Sequence, residues 1–102
     1  MKILCLWHVK PDADLSKVAD LLVDEERFAW QMFASGELRE HYESDMPTPA
    51  ISIVEMESIA AAEARFAELP INKAGLLEPR YFELRPFMNW EVLFKDEHKT
   101  WS

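Results

Sequence analysis

The chain is poor in the residues that most often carry dedicated chemistry. Of 102 residues one is cysteine (Cys5), two are glycine (Gly36 and Gly75) and three are histidine. A single thiol cannot close an internal disulfide, nor by itself a metal site. Cys5 lies in an apolar run, so it reads as a small buried hydrophobe rather than a nucleophile. Two isolated glycines provide no Gly-rich loop, which argues against dinucleotide binding. His8, His41 and His98 show no ligand spacing, and the expectation is no metal; no motif supports a Ser/His/Asp triad either. Cationic residues are also scarce, with 11 Lys and Arg against 19 Asp and Glu and a formal net charge of −8. A protein that grips a nucleic-acid backbone or an anionic bilayer needs a basic face, and none is visible, so neither partner is expected. No apolar run is long enough to span a membrane, and the first residues enter a strand pattern directly, without the charged region and cleavage site of a leader. A cytoplasmic location is the expectation.

What is present suits a core. Apolar residues make up 49% of the chain and aromatics 12%, including four Trp. The length fits one domain, of a size for which association is a common way to bury more surface.

Residues 2–9 form a short apolar run closed by turn chemistry at Lys10-Pro11-Asp12, which predicts a buried strand. Over residues 15–35, Val18, Leu21, Leu22, Ala29, Met32 and Phe33 recur at helical spacing. Asp14 or Ser16 can cap that helix and Ser35-Gly36 can stop it. Glu25 falls in the middle of its apolar face, while Asp24, Arg27 and Gln31 fall outside. Residues 37–45 are strand-like but polar, and a Pro-containing turn separates them from a convincing strand over 50–56, which suggests a hairpin. Ser58 caps a second helix over about 59–69, with Ile59, Ala62, Phe66 and Leu69 as its stripe and Pro70 as its stop. Residues 71–78 read as irregular and 80–85 as a further strand. The tail alternates Trp90, Val92 and Phe94, as a last short strand or arm, and residues 95–102 are expected to fray.

The order is β-α-β-β-α-β: an α+β, ferredoxin-like domain over residues 1–88 with a four-stranded antiparallel sheet and two helices on one face. Residues 89–102 form an arm, exchanged with or packed on a dimer partner. An apolar sheet face without helices needs a cover, and a second copy of the chain is the simplest one, giving a homodimer or a higher homo-oligomer.

Several stretches resemble the muconolactone isomerase family: Glu25-Glu-Arg-Phe-Ala29, Ser35-Gly36 with Arg39 after it, Ser52-Ile-Val-Glu-Met-Glu-Ser58, Leu69-Pro70, and the first strand ending in Trp7-His8-Val9. The resemblance covers about residues 3–87. It implies a dimeric α/β barrel that moves a proton within a small lactone with no metal or organic cofactor. It also implies that Glu25 matches a helix glutamate of the family.

The residues themselves nominate a site. A carboxylate on the apolar face of a helix is desolvated, which raises its pKa toward that of a general base near neutrality; Glu25 is this candidate, the alternative being a Glu at the stripe's edge that pairs with Arg or Lys or reaches solvent. His8 can shuttle a proton or hold a carboxylate, although strand alternation places it with Leu4 and Leu6, opposite Trp7. Arg39 and His41 lie two apart on one predicted strand face, where they can hold a carboxylate or polarise a carbonyl, the alternative being cross-strand pairing. Trp7, Trp30, Tyr42, Tyr81 and Trp90 can wall a pocket or pack in a core or interface. Trp30, off the main stripe, suggests contact with the tail or a partner. Together these predict cofactor-free isomerase chemistry on a small, ring-containing, potentially anionic ligand, in a pocket between the first helix and the sheet. Glu25 and His8 would be catalytic, with Arg39, His41, Trp7 and Tyr42 binding the substrate. A cofactor-free monooxygenase acting on an activated aromatic, or a non-enzymatic binding module, fits the same residues.

Overall fold

A computed structural model describes residues 1–99. The strands are β1 (Lys2–Val9), β2 (Leu38–Glu43), β3 (Ala50–Glu55) and β4 (Leu77–Leu84), and the helices are α1 (Val18–Ser35), α2 (Ile59–Phe66) and the short α3 (Pro70–Lys73). The sheet order is β2-β3-β1-β4, and each neighbouring pair is antiparallel. The connection through α1 passes over β3 and the one through α2 passes over β1, which is the split βαβ arrangement expected from the sequence.

Local signals account for most of these boundaries. Asp14 caps the entry to α1, accepting from the Ser16 amide at 3.1 Å, and a 3-10 turn over Leu15–Lys17 leads into the helix. Gly36 ends α1 at φ +87°, a left-handed conformation that glycine adopts without strain. Ser58 caps α2, accepting from the Ala61 amide at 2.9 Å. Pro70 does not merely stop the preceding helix: it opens α3, where its missing N–H costs nothing at a first helical position. β4 begins at Leu77, earlier than the sequence suggests, because Leu77 pairs with Val9 at the end of β1.

Alternation along β1 divides the molecule. Ile3, Cys5, Trp7 and Val9 are buried, whereas Lys2, Leu4, Leu6 and His8 face the other way. The buried set packs with Met32 of α1, Ala62 and Phe66 of α2, and Leu38 and Val54 of the sheet. Trp7 meets Phe66 edge to face, with ring centroids 4.6 Å apart, and burial pushes the Cys5 thiol up to about 12, leaving it protonated and inert. The other face carries no helix. On it, Leu4 lies between Ile53 and Phe82, and Leu6 lies beside Ile51.

The tail departs from expectation. Residues Met88–Phe94 wind as a 3-10 helix, not a strand, and Asp96–His98 form one further 3-10 turn. Alternation alone does not make a strand when no sheet edge pairs with it. Phe87, Met88, Trp90, Val92, Leu93 and Phe94 are all exposed. This arm elongates the molecule to 60 × 30 × 22 Å, with a radius of gyration of 17.8 Å; a compact chain of this length has about 13 Å. The last part of the segment expected to fray, residues 100–102, lies outside the described residues. No helix among the described residues is long and apolar enough to cross a membrane.

Candidate active site

A cavity of about 420 Å³ opens between α1, the helix-covered face of the sheet and the α3 region. Trp7, Val9, Met32, Leu38, Phe66, Leu69, Ile71, Leu76 and Leu77 supply most of its apolar wall, and Glu25, Glu26, His41, Ser52 and Asn72 are its polar members. Mostly apolar walls with a few convergent polar groups are the usual composition of a small-molecule site.

Glu25 sits on the wall that α1 provides. Its turn of the helix faces inward with Val18, Leu21, Ala29 and Met32, as the periodicity predicts, and the carboxylate is half-buried. Oε1 accepts the Ile71 amide of α3 at 2.8 Å. No cation pairs with it among the described residues, so the salt-bridged alternative does not apply. Burial pushes its carboxyl above the usual carboxylate range, the Ile71 amide pulls the other way, and the charge of Glu26 adds to the rise.

His41 reaches the same cavity through a backbone irregularity. Leu38 pairs with Val54, Glu40 with Ile53 and His41 with Ser52, so one step along β3 spans two along β2. Arg39 is the extra residue of a β-bulge. In an unbroken strand Leu38 and His41 would face opposite ways; the bulge turns both toward the helices.

Ser52 is the residue that sequence reasoning passed over. Its side chain is fully buried. Oγ accepts the indole N–H of Trp7 at 2.8 Å and lies 2.7 Å from Nδ1 of His41. Having accepted from Trp7, the serine oxygen has one lone pair and its proton left to offer His41, so the direction of that bond follows the tautomer of the ring. Where the serine donates, Nδ1 is the acceptor and the ring N–H is on Nε2. The signal available in the sequence was a lone hydroxyl at an inward position of an otherwise apolar strand, Ala50-Ile-Ser-Ile-Val54.

The remaining nominated residues lie elsewhere. His8 is on the helix-free face, with Nδ1 2.8 Å from Thr48 Oγ1, across the ladder from Glu78. Arg39 is exposed at the bulge, and its Nε donates to the Gly36 carbonyl. Tyr42 is also on the helix-free face, and its hydroxyl donates to Glu40 at 2.6 Å. The pairing of Arg39 with His41 on one face fails because the bulge intervenes. Trp30 is exposed on the outer side of α1 and stacks on Phe33 with centroids 5.4 Å apart. The two rings border a groove of about 200 Å³ that shares Glu26, Ala29, Leu38 and His41 with the cavity. Among the described residues no group of three or more His, Cys, Asp or Glu side chains is placed to hold a metal ion.

No model of a known protein family matches the sequence, and no curated protein does. Solved structures do share its fold. The 5-chloro-2-hydroxyhydroquinone dehydrochlorinase of Burkholderia phenoliruptrix, determined with 2,5-dihydroxybenzoquinone, superposes with a TM-score of 0.69 at 17% identity, over 83% of this chain and 94% of that one. Muconolactone isomerase superposes with a TM-score of 0.66 at 19% identity, over 85% of this chain and 93% of that one. At these identities the likeness establishes the ferredoxin-like α+β fold that this chain has in common with both.

Proposed function

We propose that the cavity carries out cofactor-free proton transfer on a small ring-containing metabolite, in the manner of a muconolactone isomerase. The observation that carries this reading is Glu25: a half-buried carboxylate on the wall of an apolar cavity, with no cation paired to it among the described residues. Such a group accepts a proton more readily than an ordinary carboxylate does and, once protonated, can return it. In the proposed step Glu25 removes a proton from a carbon next to a ring carbonyl. The C–H electron pair moves into the ring, and the carbonyl oxygen takes the charge as an enolate. The Nε2–H of His41 bonds that oxygen, and the Glu25 acid then delivers the proton to a second carbon, so that a double bond has moved with no net gain or loss. Trp7 contributes a flat wall and, through Ser52, the hydrogen bond that orients His41.

The test is exchange of solvent deuterium into a butenolide under anaerobic conditions, with Glu25→Gln as the comparison. The reading requires exchange in the natural protein and its loss in the variant. Oxygen uptake with a quinol in place of exchange would favour the monooxygenase, and ligand binding with no turnover, unchanged in Glu25→Gln, would favour a binding module.

We propose further that two copies pair across the helix-free face. Leu4, Leu6, Ile51, Ile53 and Phe82 form a contiguous apolar patch there, and the arm from Phe87 to Phe94 carries six more large apolar side chains that are exposed in the single chain. Surface of this kind on a domain this small is ordinarily covered. On this reading His8 and Tyr42 belong to the interface, and the arm packs on the partner.

A further inference from the structure

The charges around the cavity define the class of ring that it takes. All eleven Lys and Arg residues fall within the described part of the chain, and none lines the cavity, whereas two carboxylates, Glu25 and Glu26, do. Six cations adjoin lining residues in the sequence, Lys10, Lys17, Arg27, Arg39, Arg65 and Lys73, and the three arginines are engaged elsewhere, Arg27 with Asp24 at 3.0 Å. Arg39 donates to the Gly36 carbonyl outside the cavity, and Arg65 is held by Glu37 and Glu68 at 2.9 and 3.0 Å. A ligand carboxylate entering this space would lose water next to like charges and gain no counter-ion from the residues that line it. That arrangement penalises the charged form of any group placed in it. The polar atoms that do face the space suit an uncharged ligand. The Nε2–H of His41 can donate to a carbonyl or hydroxyl oxygen, the Glu25 carboxylate can accept from a hydroxyl, and the apolar faces of Met32, Phe66 and Leu69 suit a ring.

We infer that the cavity selects an uncharged ring compound bearing carbonyl or hydroxyl groups and rejects the same ring bearing a carboxylate. This deepens the proton-transfer reading, on which it rests for the identity of the site, and it narrows the expectation of a potentially anionic ring to an uncharged one. The acidic rim is the selective element: Glu26, exposed at the opening shared with the Trp30 groove, adds its charge to that of Glu25.

The test is calorimetric titration of the full chain at pH 7 with two matched pairs: gentisate against its methyl ester, and a butenolide against its carboxymethyl derivative. The uncharged member of each pair is expected to bind about tenfold or more tightly, a ratio within reach of one uncompensated like-charge contact at partly desolvated separations. Glu26→Lys is expected to close most of that gap by strengthening the two carboxylates severalfold, with the uncharged members changed by less than about twofold. Carboxylates binding as tightly as their uncharged partners would overturn the inference, as would failure of every uncharged ring to bind at millimolar concentration. These are equilibrium measurements, so they separate from turnover. Charge selection with no deuterium exchange removes the proton-transfer reading and keeps the inference, and exchange with a preference for carboxylates does the reverse.

Discussion

The hydroxyl of Ser52 and the imidazole of His41 stand 2.7 Å apart, on neighbouring strands, at the one place where a bulge has turned β2 around. The same hydroxyl accepts from Trp7 at 2.8 Å. A fully buried serine with both of its contacts made is a stiff relay. It holds a core tryptophan and a cavity-lining histidine in one hydrogen-bonded chain.

Ser52→Ala therefore breaks two contacts at once. It leaves the indole N–H of Trp7 buried and unsatisfied, at an expected cost of about 1–3 kcal/mol in urea unfolding. Where the serine donates, as the proposed step requires, it also removes the donor that holds the proton of His41 on Nε2, so nitrogen NMR should show a single Nε2–H tautomer in the natural protein and a mixture in the variant. Ser52→Thr, which keeps the hydroxyl, should retain the tautomer even if its extra methyl costs some stability. A mixed tautomer in the natural protein would show that the relay does not operate.

Glu25 should act in opposite senses on stability and on catalysis. Its folded-state pKa is raised, so the folded state binds its proton more tightly than the unfolded state does. Above that raised value the ionised carboxylate is a burden on the fold, and the burden lifts as pH falls through it. Glu25→Gln keeps an acceptor for the Ile71 amide and removes the charge. The variant is expected to be the more stable protein at pH 7–8, with the difference shrinking toward pH 4, as read by thermal melts across pH. Activity should move the other way, falling by about 100-fold or more, the usual contribution of a general base. In the natural protein the acid limb of the rate profile should lie above the ordinary glutamate range.

Glu37 supplies the contrasting case. The Arg65 guanidinium beside it, with help from the Ser35 hydroxyl, holds its carboxyl below the usual carboxylate range. Arg65 reaches it with two nitrogens, at 2.9 and 3.2 Å, and lies over the ring of Phe28 with its guanidinium carbon 4.7 Å from the centroid. The pair ties α2 to the residue just before β2. Because the folded-state pKa is depressed, its stabilisation is present above the unfolded value and is lost as pH falls through the folded one. Arg65→Met, which keeps most of the packing, is expected to cost about 0.5–1 kcal/mol at pH 7, a figure set by the partial exposure of both side chains. That cost should disappear in acid, so the Arg65 and Glu25 variants should show opposite pH trends in one set of melts.

How far the sequence speaks for itself can be judged from these same residues. The sheet, both main helices and the inward direction of Glu25 follow from patterns of period two and 3.6, with caps at Asp14 and Ser58 and a stop at Gly36. Those patterns are local, and local rules suffice for them. The partnership of Ser52 with His41 is not local. It depends on an extra residue at Arg39, and strict alternation read along 37–45 places Arg39 with His41 and sets Leu38 against them. A bulge leaves no mark in hydrophobic periodicity when the strand is mostly polar, as this one is. The tail fails for the complementary reason: Trp90, Val92 and Phe94 alternate as a strand would, but alternation does not supply a paired edge, and Met88–Phe94 winds as a 3-10 helix instead.

The bulge also makes Arg39 a sharp probe. If it is the extra residue, deleting it joins Leu38 to Glu40 and leaves His41 opposite Ser52 in a regular ladder. The His41 tautomer should then survive the deletion, and ligand affinity should change by less than about threefold, as expected where no contact to the ligand is lost. Deleting Arg39 and Glu40 together instead makes Leu38 and His41 neighbours on opposite faces and should abolish the Ser52 contact. Loss of the tautomer in the Arg39 deletion would mean that the guanidinium, and not the register, positions the histidine.

The proposed pairing of two copies is open to the most direct disruption. Ile53 lies at the centre of the helix-free face, opposite Leu4 on one side and Glu40 on the other, and it is part-buried in the single chain. Ile53→Lys puts a charge where a partner's apolar residues would meet it, while in an isolated chain the lysine can extend into water, so folding should persist. Sedimentation should show a dimer or larger assembly for the natural protein and a monomer for this variant, with far-ultraviolet circular dichroism unchanged. Removing residues from Phe87 onward separates the two contributions. If the arm packs on the partner, its loss should weaken association by an order of magnitude or more, since several large apolar side chains at about 1.5–3 kcal/mol each lose their cover. If the arm only decorates the surface, association should be untouched by its removal and abolished by Ile53→Lys alone.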